Sequence, residues 1–207
     1  MSNDQILQNK TIIVTGASTG IGQAFAVACA SYGAKIIVAD MNLGEETVEI
    51  VKSNGGEAKF VEVDVANENS TNLMAKAAYD WTGRVDGLIN NAAYFREVKL
   101  TPFEEIDVAV WDKIFDVNVK GIWQCSKAVI PYMRNNNGGS IINISSVVAV
   151  AGQPGYLHYV ATKGAVLAMT KGLAKECGKD LVRVNTIAPG FVITDATKNR
   201  PIEWQQT

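Results

Sequence analysis

Histidine is nearly missing from this 207-residue chain; His158 stands alone. It has no ligand partners, so we expect no metal site and read it as a packing or pocket-rim residue. Cysteine is scarce as well. Cys29, Cys125 and Cys177 are odd in number and scattered, which argues against a disulfide framework or a zinc site. They fit buried thiols in a reducing compartment. Neither sign of charge prevails: 19 Lys and Arg face 21 Asp and Glu, a formal charge of -2, so nothing invites nucleic acid or an anionic membrane surface. No apolar run is long enough to span a bilayer, and the polar residues 1–5 lack the layout of a signal peptide. The expectation is a cytoplasmic protein with neither nucleic-acid nor membrane partners. Apolar residues are plentiful, at 47% against 19% charged, enough for a sizeable core. Without repeats, low-complexity tracts or linkers, residues 1–207 read as one domain.

The apolar run at 11–15 reads as a buried strand that enters a glycine turn, Gly16-Ala17-Ser18-Thr19-Gly20-Ile21-Gly22, followed by an Ala-rich helix over 23–32. Strand, glycine turn and helix bring backbone N–H groups and a helix N-terminus to a pyrophosphate. Gly16, Ser18, Thr19, Gly20, Ile21 and Gly22 are therefore candidates to hold a dinucleotide. A second strand over 35–40 ends at Asp40, 18 positions after Gly22. A carboxylate there can accept hydrogen bonds from the adenosine ribose hydroxyls and repels a 2′-phosphate. Neither Thr19 nor Met41 is basic, so the preference is for NAD over NADP; the alternative is that Asp40 caps the next helix.

Helices are expected over 44–54 and 68–81, and strands over 58–63 and 85–89. Residues 94–101 read as loop, 102–115 as a ragged helix, and 122–134 as a further helix. A strand over 140–144, a loop through 152–155, a long helix over 156–177 and a strand over 182–187 follow, with a polar tail over 191–207. Alternating strands and helices imply right-handed crossovers and a parallel sheet covered on both faces. The fold class is a doubly wound α/β sheet in the Rossmann manner, three layers deep.

Tyr159 and Lys163 lie four apart on the long helix and so share a face. A nearby ammonium favours phenolate, which would let Tyr159 exchange a proton near neutral pH. Alone, the pair also fits a lysine snorkelling beside a half-buried ring.

The whole set, Thr15 to Gly22, Asp64-Val65, Asn90-Asn91-Ala92-Ala93, Asn118-Val119-Lys120-Gly121, Ser146, Tyr159-x-x-x-Lys163 and Pro189-Gly190, resembles a classical short-chain dehydrogenase/reductase over residues 10–194. The resemblance implies roles. Tyr159 would be general acid/base, and Lys163 would bind the nicotinamide ribose and lower the tyrosine pKa. Ser146, 13 residues before the tyrosine and preferred over Ser145 on that spacing, would hold the substrate oxygen. Asn118 would hold a water beside the lysine. Asp64 and Val65 would meet the adenine, while Asn91, Ala92 and Ala93 would pass the adenosine ribose. Pro189, Gly190, Val192 and Thr194 would hold the carboxamide. Each residue also has a plainer reading: Ser146 as a strand-end hydroxyl, Asn118 as a helix cap, Asn90 and Asn91 as ties between strands.

Two departures stand out. Ala93 occupies a position where the family more often has glycine. Family members also continue for several dozen residues, with a substrate-covering helical segment, a helix and a seventh strand. This chain is expected to be C-terminally incomplete, with strand six as an exposed edge. The expected reaction is NAD-linked oxidation of a hydrophobic secondary alcohol to a ketone, or the reverse. Ala149, Ala151, Tyr94, Phe95, Tyr156 and Leu157 would line or rim the pocket. The alternatives are a non-catalytic NAD-binding sensor or structural subunit, or an epimerase or dehydratase relative. The resemblance also implies a homodimer or homotetramer through the helices at 122–134 and 156–177, where Ala161, Gly164, Ala165 and Ala168 permit close approach.

Overall fold

The computed structural model describes residues 5–194, 197 and 198. Six parallel strands form one sheet in the order β3-β2-β1-β4-β5-β6. They are β1 (Thr11–Thr15), β2 (Lys35–Asp40), β3 (Glu57–Glu62), β4 (Gly87–Asn90), β5 (Gly139–Ile144) and β6 (Val182–Ile187). The helices are α1 (Gly20–Ser31), α2 (Glu45–Ser53), α3 (Glu68–Thr82), α4 (Val108–Phe115), α5 (Gly121–Asn135), α6 (Val148–Ala151) and α7 (Leu157–Cys177).

Alternation along a strand sends neighbouring side chains to opposite faces, and β1 uses both. Ile12 and Val14 pack with Ala26 and Ala30 of α1 and with Val48 and Val51 of α2. Ile13 joins Met74, Ala75 and Ala78 of α3 and Cys125, Val129 and Met133 of α5. The sheet is thus covered by α1 and α2 on one side and by α3, α5 and α7 on the other. The chain reverses direction beside β1, between β2 on one flank and β4 on the other, and that crevice is where such sheets bind ligands. β6 is an edge strand among the described residues, with Arg183 and Asn185 exposed.

Three elements differ from expectation. The helix expected over 102–115 is broken: Phe103–Glu105 is a 3-10 turn, and α4 starts afresh where the Asp107 carboxylate accepts the Ala109 N–H at 2.7 Å. α6 is an unexpected short helix between β5 and the loop expected through 152–155. Between α4 and α5, residues Asp116–Lys120 form a π-turn in which the Gly121 N–H donates to the Asp116 carbonyl, five residues back. Most of the polar tail over 191–207 lies outside the described residues.

Candidate active site

The glycine turn follows β1 directly. Gly16 has φ +65°, and a Cβ on it would stand 2.8 Å from the Ala92 Cα. A Cβ on Gly22 would stand 2.0 Å from the Gly16 carbonyl oxygen, so only glycine lets α1 approach β1 this closely. Thr19, at the N-cap of α1, makes no side-chain cap, and the first turn carries no acidic residue. These free N–H groups beside glycine suit a phosphate.

Asn91 binds the turn from the β4 side: its amide donates to the Thr15 and Gly16 carbonyls, both at 3.0 Å. The Thr15 hydroxyl accepts the Asn91 and Ala92 N–H groups at 3.1 Å. The plainer reading of Asn91 as a tie is thus realised, and it keeps the backbone of 91–92 against the turn. Asn90 does the same toward β5, donating to Asn143 at 2.9 Å. Ala93 is exposed and avoids positive φ, so its backbone does not require the glycine that the family more often has there.

Asp40 closes β2. Its Oδ2 accepts the Ser18 N–H at 2.9 Å, and its Oδ1 accepts the Asn42 N–H at 3.0 Å. The N-cap of α2 is Gly44, so Asp40 does not cap that helix. Asp64, after β3, accepts the Ala66 N–H at 2.9 Å, while the buried Val65 packs where Gly121 leaves room.

The catalytic candidates converge at the ends of β5 and β6 and on α7. Ser145 spends its hydroxyl on the Lys163 carbonyl at 2.8 Å. Ser146 Oγ accepts the Val148 N–H at 3.4 Å, and it stands close enough to the Tyr159 phenol to favour its charged form. The Ser145 hydroxyl is thus engaged by α7, while Ser146 also meets its plainer reading as a strand-end hydroxyl on the backbone. Lys163 is buried, its Nζ 5.5 Å from the Tyr159 ring centre and donating to the Ile144 carbonyl at 2.8 Å. Burial pushes the Lys163 pKa down to about 8. Burial pushes the Tyr159 phenol well above its ordinary value, against the lowering hydrogen bond from Ser146. The expected lowering by Lys163 is therefore not a property of the free chain, where both groups are desolvated and the ammonium is engaged by a backbone carbonyl.

Asn118, wholly buried in the π-turn, accepts the Tyr94 N–H at 2.7 Å and donates to Thr162 Oγ1 at 3.3 Å; Thr162 in turn donates to the Tyr159 carbonyl at 2.8 Å. Its side-chain amide thus ties the Tyr94 backbone to α7. Pro189 accepts the Val147 N–H at 3.0 Å. The Thr197 hydroxyl donates to the Val192 carbonyl at 2.6 Å and accepts the Thr194 N–H at 2.8 Å, and Thr194 lies 3.8 Å from the position of a Cβ on Gly20. The segment after β6 therefore folds back over the glycine turn.

The expected pocket wall needs one correction. Tyr156 is 1% exposed and lines nothing; its hydroxyl donates to the Val98 carbonyl at 3.2 Å and straps the 94–101 loop to α7. Phe95 packs on the Tyr159 ring at 4.9 Å. His158 is buried against Tyr156, a packing residue whose pKa burial lowers. No group of three or more potential metal ligands occurs among the described residues. No helix among them is long and apolar enough to cross a membrane.

Thr47 and Gln23 escaped the sequence reading. Thr47 sits on the buried stripe of α2 with Val48 and Val51, and its hydroxyl reaches the Ala17 and Ser18 carbonyls at 2.9 and 3.1 Å. The one available signal was a hydroxyl residue on an otherwise aliphatic stripe.

The family model described as short chain dehydrogenase matches residues 10–204. A 3-oxoacyl-acyl-carrier-protein reductase of Synechocystis sp. is 39% identical over 196 residues, covering 93% of this chain and 78% of the relative. The uncharacterized oxidoreductase YxbG of Bacillus subtilis is 41% identical over 190 residues, 91% of this chain and 68% of the relative. A solved structure from Sinorhizobium meliloti 1021, assigned to the short-chain alcohol dehydrogenases, superposes with a TM-score of 0.90 at 34% identity, covering 98% of this chain and 81% of the other.

Proposed function

The chain belongs to the short-chain dehydrogenase family of oxidoreductases, and from that premise we propose that it interconverts an apolar secondary alcohol and its ketone with NAD as partner. The single observation that carries this reading is the buried Lys163 ammonium 5.5 Å from the Tyr159 ring centre, with Ser146 placed to favour the charged phenol. When bound, the nicotinamide dinucleotide supplies or accepts the hydride. The chain does the rest. Ser146 holds the substrate oxygen, and Tyr159 gives it a proton in reduction or takes one in oxidation. In the coenzyme-bound state Lys163 would place positive charge beside the phenol and offset the burial that keeps it protonated in the free chain. Asn118 serves as a positioning residue, tying the Tyr94 backbone to the helix turn below Tyr159. The glycine turn, Asp64, Val65, the 91–93 backbone and the segment from Pro189 to Thr194 would hold the dinucleotide. Asp40, its two oxygens already oriented, would accept the adenosine ribose hydroxyls and repel a 2′-phosphate.

A second substrate reading is reduction of a 3-oxoacyl thioester, which the name of the Synechocystis relative favours. The same Ser146 and Tyr159 would serve a ketone at that position.

Two measurements test the proposal. Ligand that binds only the folded chain raises its melting temperature by mass action, with about 2.7 kcal/mol at 100 times Kd. NAD is expected to raise it and NADP to do so far less. Formation or loss of reduced coenzyme, followed by absorbance with secondary alcohols and with a 3-oxoacyl thioester, separates the two substrate readings. Binding without turnover on either class would point instead to a sensor or structural role.

A further inference from the structure

We propose that Thr47 is a positioning residue that sets coenzyme discrimination by fixing the peptide on which Asp40 leans. The proposal rests on the reading of Asp40 as the ribose-binding carboxylate. Thr47 is 0% exposed, and its single hydroxyl proton is shared between the Ala17 carbonyl at 2.9 Å and the Ser18 carbonyl at 3.1 Å. The half-buried Gln23 supports it from α1, donating to the Thr47 hydroxyl at 2.9 Å and to the Ser18 carbonyl at 3.2 Å.

Nothing in the packing of α2 asks for a hydroxyl. Val48 and Val51 share the same buried face, and valine would fill the Thr47 site with the same shape. The hydroxyl matters for what it orients. In a trans peptide the C=O and N–H point in opposite directions. With the Ala17 carbonyl held by Thr47, the Ser18 N–H of the same peptide must point the other way, and it lands on Asp40 Oδ2 at 2.9 Å. The next peptide obeys the same rule: the Ser18 carbonyl is held by Thr47 and Gln23, so the Thr19 N–H is turned away from α2. The Ser18 hydroxyl closes the ring by donating to the Asn42 carbonyl at 3.1 Å, while the Asn42 N–H holds Asp40 Oδ1. One buried hydroxyl thus fixes two successive peptides of the glycine turn and, through the first, the carboxylate that would read the ribose.

The test uses the full chain with ADP-ribose and its 2′-phosphate, probes of the adenosine half alone, by titration calorimetry. Wild type is expected to favour ADP-ribose. Thr47→Val should weaken ADP-ribose about tenfold and shrink the preference over the 2′-phosphate about fivefold, the scale of one lost hydrogen bond. Thr47→Ser, which keeps the hydroxyl, should restore both. Equal weakening of both probes with an unchanged preference would reduce Thr47 to a core residue and overturn the proposal, as would affinities within twofold of wild type. Should Thr47→Val not fold, Gln23→Leu decides: it must shrink the preference in the same direction, and an unchanged ratio overturns the proposal. Wild type that favours the 2′-phosphate sinks the Asp40 reading and this proposal with it. Wild type that favours ADP-ribose yet turns over no alcohol or ketone sinks only the catalytic reading.

Discussion

At the residue scale the chemistry rests on a phenol that burial holds protonated and a lysine that burial discharges near pH 8. Tyr159→Phe keeps the ring against Phe95 and removes the transferable proton. It is expected to lower kcat about 10²- to 10⁴-fold, the range of general acid–base catalysis, while NAD affinity by titration stays within twofold. Lys163 makes a prediction about stability. Its folded pKa of about 8 lies below the ordinary lysine value of about 10.4. Between these values the unfolded chain binds more protons, so this group makes stability rise with pH across that window. The difference in urea midpoint between wild type and Lys163→Met should therefore move in favour of wild type from pH 7.5 to 9.5. Part of this site was legible in the sequence: Tyr159 and Lys163 share a helix face by their spacing, and Ser146 follows from the family resemblance. The buried hydroxyls of Thr47 and Thr162 were not. Thr47 donates to the Ala17 carbonyl and Thr162 accepts from the Asn118 side-chain amide, both distant in sequence, and no spacing rule reports such a partner. The tie from the Asn118 side chain to the Tyr94 backbone was hidden for the same reason.

At the element scale, all six strands were readable because each is a short apolar or alternating run ending at a turn residue. The misreadings cluster between residues 102 and 121. Asp107 caps a new helix there, and the π-turn adds a residue that shifts the helical phase by about 100°. Apolar spacing on either side of the turn does not join, so periodicity finds no single helix. Asp86, just before β4, shows what holds an element's start. It accepts the Thr11 N–H at 2.9 Å, pairs with Arg84, and binds Lys10 at 3.3 Å. Burial works to raise its pKa, but Arg84, the Thr11 N–H and Lys10 together outweigh it and hold the carboxyl below the usual range. A depressed carboxyl stabilises above the unfolded pKa and loses that effect as pH falls through the folded one. Asp86→Asn is expected to cost about 1–3 kcal/mol at pH 7 by urea unfolding, with the gap to wild type closing below about pH 4.

At the scale of the whole molecule, strand order gathers Gly16, Asp40, Asn91, Ser146 and Pro189 at one end of the sheet although they are far apart in sequence. That order was expected from the alternation of elements and the family resemblance, and not from any local signal. Assembly belongs to the same scale. Ala168 is exposed on α7, and a Cβ on Gly164 would meet nothing within 4 Å, so the described residues leave this face bare. Sedimentation is expected to show at least a dimer, and Ala168→Arg to shift it toward monomer; a monomeric wild type at working concentration would contradict this.

The place of β1 in the sheet has a consequence in time. All five of its residues are buried, and it pairs with β2 on one flank and β4 on the other. During synthesis β2 emerges soon after β1, but β4 waits for residues 87–90. At about 5–20 residues per second, the nascent chain carries an apolar strand with one open edge for roughly 2–10 s. Throughout that interval, pairing of the open β1 edge with another chain competes with folding.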